Sequence, residues 1–82
     1  MEGVVRLANP DTGLFVVEIE DAFTVFETPD TDEIECGDVI VGNLDFTTCD
    51  SVFNNSKDQA IDVYVRDIVA TLSAAEALLS GE

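Results

Sequence analysis

Chemistry in this chain would have to come from carboxylates. Eighteen Asp and Glu stand against three Lys and Arg, with two Cys and no His. General acid–base work near neutral pH needs a carboxyl group raised by burial or by a neighbouring carboxylate. Glu18 and Glu20 alternate on one face of an apolar segment and have the spacing of such a pair. Alternation on a wet strand face accounts for them more simply. Asp30, Asp32, Glu33 and Glu35 form an acidic run whose oxygens suit a hard cation. The run lacks the spacing and the bidentate Glu of a calcium loop, so it reads as a solvated acidic loop. Asp62, Tyr64 and Arg66 alternate on a later segment as the one polar trio of mixed chemistry, read as a surface cross-strand arrangement. Cys36 and Cys49 have no His to act as a base, and they are too few and too widely spaced for a metal site. They are expected as two buried, reduced thiols rather than as a disulfide. There is no glycine-rich phosphate loop. The chain is therefore read as a non-enzyme with no cofactor and no metal. A carboxylate-based enzyme or a metal-binding domain is the least favoured alternative.

The net charge of −15 bounds the partners. Nucleic-acid affinity comes largely from Lys and Arg neutralising phosphates. Only Arg6, Lys57 and Arg66 are present to do so, and direct binding of DNA or RNA is not expected. Anionic membranes are disfavoured by the same sign. No apolar run approaches the roughly 20 residues of a membrane span. Glu2 stands where a signal peptide would carry cations, so a cytoplasmic protein is expected. Basic proteins and metal cations are the electrostatically favoured partners.

Eighty-two residues, 46% of them apolar, predict one small domain spanning 1–82 with a modest core. Residues 2–7 read as a strand with Val5 and Leu7 on one face. Asn9-Pro10-Asp11-Thr12-Gly13 is a strong turn. Residues 14–20 and 23–27 read as the next two strands, the latter with Phe23 and Val25 on one face and Thr24 and Phe26 on the other. After an acidic loop over 28–36, residues 39–44 read as a fourth strand, with Gly42 marking a bulge or bend and an extension reaching Phe46 and Thr48. Residues 50–58 read as a polar excursion tipped by Asn54-Asn55-Ser56, from which Val52 and Phe53 dip into the core. A fifth strand covers 60–66, with Ile61, Val63 and Val65 facing one way. Ser73-Ala74-Ala75-Glu76 matches a capping box, with Leu72 and Ala77 as its staple and Gly81 as a stop. It predicts a short C-terminal helix. Such a helix is too short to stand alone. It must cover an open end of the barrel or pair with a second copy to make a homodimer.

The fold expected is mostly β: a small five-stranded barrel of the OB or SH3-like kind with a short C-terminal helix. The stretch from Gly3 to Val17, with Gly3, Asn9, Asp11 and Gly13 where the pattern places them, resembles the opening of cold-shock domains. Gly37-Asp38-Val39 is similar to the segment that leads into their fourth strand. The resemblance implies the barrel. Cold-shock domains stack bases on exposed aromatic residues flanked by Lys. The matching positions here hold Leu7, Ala8, Leu14 and Val16, and Thr12 replaces a Lys, so the resemblance does not carry the activity.

The function expected is a non-enzymatic, acidic protein-binding module that contacts a basic protein through Glu18, Glu20, Asp30, Asp32, Glu33 and Glu35. The alternative is a nucleic-acid mimic that occupies the basic groove of a DNA- or RNA-binding protein. Two rows of carboxylates would favour mimicry, and an apolar patch would favour an ordinary interface.

Overall fold

The structure, a computed structural model, describes residues 1–29, 34–45 and 49–79. The strands are β1 (Glu2–Asn9), β2 (Leu14–Glu18), β3 (Phe23–Glu27), β4 (Val39–Val41), β5 (Cys49–Asn54) and β6 (Gln59–Val69), followed by helix α1 (Leu72–Leu79). Among the described residues these six strands form a closed antiparallel barrel in the order β1-β2-β3-β6-β5-β4. Closure leaves no open sheet edge.

The barrel therefore has six strands where five were expected. The additional one is β5, cut from the stretch read as a polar excursion. Its backbone is paired on both sides, with Val41 opposite Phe53 and Ile61 opposite Val52. Alternation then sends Val52 inward, 3% exposed, and Phe53 outward, 37% exposed. Phe53 is thus a surface residue and not part of the core. The fourth strand stops at Val41, and the positions at Phe46 and Thr48 lie outside the described residues. At Gly42 the chain crosses so close to Val52 that an added Cβ would lie 2.8 Å from Val52 Cγ1.

The first turn forms where Asn9-Pro10-Asp11-Thr12-Gly13 places it. The Asn9 carbonyl accepts from the Thr12 and Gly13 amides at 3.2 and 3.0 Å, and Gly13 takes φ 76° to re-enter β2. Val5 and Leu7 do not share a face. The β1–β2 register shifts between them, so that Arg6 is an extra, bulged residue. Val5 points into the barrel, and Leu7 packs on its outer side.

Phe15, Val17, Phe26, Ile40, Leu44, Ile61 and Val65 fill the interior. The Phe15 and Phe26 rings meet inside it, tilted, with centroids 5.8 Å apart. A second cluster lies outside the barrel, where Val16 and Val25 meet Ala75 and Leu79 of α1, with Leu7, Leu14, Phe23 and Val69 at its margin. Two-sided burial explains why neighbours such as Val16 and Val17 are both hidden.

The helix covers this outer face rather than an end of the barrel. Its cap is Thr71 and not Ser73. Thr71 Oγ1 accepts from the Ala74 amide at 3.2 Å, the hydrogen bond that a helix-capping residue makes to the third helical position. Glu76 then stands too far along to close a capping box. Leu72 is left 39% exposed at the first helical position. Asn9 Nδ2 donates to the Leu79 carbonyl at 3.1 Å and ties the far end of α1 to the first turn.

Candidate functional site

The densest polar arrangement joins the segment before β4 to the turn after β5. Asp38 is 8% exposed. Its Oδ2 accepts from Lys57 Nζ at 2.7 Å, Asn54 Nδ2 at 2.8 Å and the Glu35 amide at 2.9 Å. Asn54, fully buried, turns its Oδ1 to the amides of Ser56 and Lys57. Ser56 Oγ accepts from the Val39 amide, and the Asn55 amide donates to the Val39 carbonyl. Glu35 Oε1 lies 3.7 Å from Lys57 Nζ. Burial pushes the Asp38 carboxyl up, but the hydrogen bonds from Lys57, Asn54 and the Glu35 amide, with the Lys57 charge, outweigh it and hold the group below its ordinary value. The hydrogen bond to Asp38 and the Asp38 and Glu35 charges hold Lys57 above its own, against some desolvation. A carboxylate kept ionised and already accepting three hydrogen bonds is a poor proton acceptor. The arrangement works as a latch.

The carboxylates expected to form a partner site are distributed. Glu18 lies on the outside of β2 and pairs with Arg6. Glu20 is exposed beyond the end of β2, because the Ile19 amide already donates to the Ala22 carbonyl and the chain is turning. Glu18 and Glu20 are thus not a pair on one strand. Glu35 belongs to the Lys57 latch. Asp30, Asp32 and Glu33 lie outside the described residues.

Two of the β6 trio, Asp62 and Tyr64, border an open groove of about 660 Å³ that Asp11 and Glu27 also line. Arg66 lies with its guanidinium carbon 5.2 Å from the Tyr64 ring centre and donates to Glu27 at 3.0 Å. Asp62 Oδ1 accepts from the Ser51 hydroxyl at 2.6 Å. Cys36 and Cys49 are both at the surface and not buried as expected. Cys49 sits across the ladder from Tyr64, on the outward face of β5.

A second surface is not evident from the sequence. On the outer wall of β1, β4, β5 and β6, Val4 faces Val39, Val41 faces Phe53, and Phe53 faces Ala60. Cross-strand partners share a face, as do residues two apart, so these side chains are contiguous. Val4 and Phe53 are 36% and 37% exposed. Carboxylates border the row: Glu2 faces Val41, Glu18 faces Val4, and Asp62 follows Ala60 two positions on. The signal was the alternation of Ser51, Val52 and Phe53, obscured by the polar residues around it.

The four positions that the resemblance matches to base-stacking residues do not share a face. Leu7, Leu14 and Val16 pack against α1, and Ala8 packs against the interior cluster. Among the described residues no group of three or more Asp, Glu and Cys is placed to hold a metal ion, and no helix is long and apolar enough to cross a membrane. Compared with models of protein families, with curated proteins and with solved structures, the chain matches none.

Proposed function

We propose that this protein is a non-enzymatic binding module that presents an acidic surface to a basic protein partner. The observation that carries the reading is the fate of its cations. Arg6 is paired with Glu18, Lys57 with Asp38 and Glu35, and Arg66 with Glu27. These are all the Lys and Arg in a chain of net charge −15. The uncompensated charge on the surface is therefore negative, and it steers cationic partners inward. The covered face under α1 supports the absence of direct nucleic-acid binding. Between an ordinary interface and nucleic-acid mimicry, the apolar row of Val4, Val41 and Phe53 bordered by Glu2 and Asp62 favours the interface. The two surface thiols fit a reducing, cytoplasmic setting.

The test is affinity capture from native lysate at low and at high salt. An inert acidic protein of matched charge serves as the control for ion exchange. The expected result is a basic protein retained by this chain and not by the control, released as salt screens the contact. Retention of the same proteins by both would sink the proposal.

A further inference from the structure

We infer that the wall centred on Phe53 is where the partner docks, and that the partner brings an apolar cluster flanked by Lys or Arg. The inference rests on the protein-binding reading and adds to it the place and the chemistry of contact.

Phe53 stands between Val41 on one neighbouring strand and Ala60 on the other. Val39, two residues before Val41, faces Val4 across the β1–β4 ladder. An aromatic residue flanked on both neighbouring strands by small aliphatic ones, with carboxylates at the margin, has the layout of an interface core and its polar rim. Neither barrel closure nor solubility requires it. The backbone ladders that close the barrel do not depend on these outward side chains, and Ser51, Asp62 and Glu18 show that outward positions on the same sheet accept polar residues. Full burial of a Phe is worth about 1.5–3 kcal/mol relative to leaving it in water. Exposed as it is, Phe53 has part of that stabilisation still to gain from a partner.

Charge decides the occupant. A second copy of this chain would bring Glu2 and Asp62 against themselves, with −15 facing −15. Phosphate-bearing ligands meet the same repulsion. A segment with Leu or Phe at its centre and Lys or Arg at its flanks matches both the apolar row and its acidic margin.

The probe is a synthetic amphipathic helical peptide with Leu and Phe on one face and Lys along its flanks. Its control has the same composition, shuffled so that the apolar residues are dispersed. Each is titrated into the isotopically labelled full chain and followed by amide chemical shifts. The ordered peptide should shift the amides of Val4, Val39, Val41, Phe53 and Ala60. Phe53→Thr should weaken its binding about tenfold or more. Val41→Thr should weaken it too, while Tyr64→Thr, on the groove side, should not. Melting curves of each variant confirm folding, and Thr keeps the strand preference at these positions. Equal binding of the shuffled peptide, or shifts confined to the Tyr64 groove, would overturn this placement and leave the protein-binding reading standing. Absence of binding by either cationic peptide would overturn both. A concentration-dependent dimer of the chain alone, abolished by Phe53→Thr, would assign the wall to a second copy and overturn the choice of partner.

Discussion

Lys57 Nζ lies 2.7 Å from Asp38 Oδ2, and this pair fastens the β5–β6 turn to the segment that leads into β4. The two residues are 19 apart in the chain. Closure of the barrel on the β4 side depends on such links, because β4 is only three residues long.

The latch should therefore be visible in stability against pH. Asp38 has its carboxyl below the ordinary value when folded, so its contribution is present above the unfolded value, about 3.9, and is lost as pH falls through the folded one. Asp38→Asn does not titrate. The stability gap between wild type and Asp38→Asn, measured by urea melts, should be constant from neutral pH down to about pH 5 and close below about pH 4. Asp38→Ala removes the acceptor of three hydrogen bonds, from Lys57, Asn54 and the Glu35 amide, and should cost about 2–3 kcal/mol at neutral pH. A gap that widens on acidification would contradict the assignment.

Salt should stabilise the native state. Crowded carboxylates repel one another more in the compact state than in the expanded chain. Raising ionic strength from about 0.01 to 0.15 M shortens the screening length from about 30 to 8 Å. The same salt weakens the exposed Arg6–Glu18 and Arg66–Glu27 pairs, but such pairs are worth only about 0–1 kcal/mol each. Calorimetry should show the melting temperature rising with NaCl. A flat or falling Tm would mean that local compensation dominates.

The helix and the bulged first strand should each be sensitive at one position. Leu79 is 8% exposed against Val16 and Val25, and Leu79→Ala should cost about 2–3 kcal/mol by emptying that contact. Gly3 is buried so tightly that an added methyl would overlap Val17 Cγ1 and lie 2.8 Å from the Glu18 carbonyl oxygen. Gly3→Ala should cost about 1–3 kcal/mol, because the backbone oxygen has little room to yield. Denaturant midpoints report both, and a neutral result at Gly3 would show that β1 and β2 separate more easily than their register implies.

Single-stranded DNA and RNA should leave the protein unbound at low salt. Leu7, Leu14 and Val16 are occupied by α1, and each missing base–aromatic stack forfeits about 1–3 kcal/mol. Fluorescence anisotropy of labelled oligonucleotides should stay flat on titration. Micromolar binding would show that α1 leaves its face or that another surface overcomes the charge.

Composition and local spacing determined a good deal. The net charge, the absence of His and the scarcity of cations are properties of the residue list, and so is the acidic character of any surface they form. Local hydrogen bonding made the Asn9–Gly13 turn legible, and strict alternation did the same for Ile61, Val63 and Val65. Tertiary structure decided the rest. Cys49–Asn54 is a strand because β4 and β6 pair with both of its sides, a non-local condition that its polar residues concealed. Arg6 is bulged because β1 must meet β2 and β4 at once, and that shift parts Leu7 from Val5. The helix cap moved to Thr71 because Ala75 and Leu79 are the residues that seat on Val16 and Val25. Asp38, Asn54 and Lys57 became a latch, and Val41 and Phe53 a wall, only when closure brought their segments together. Alternation can say that a side chain leaves the core, but only the strand order says which other side chains it meets outside.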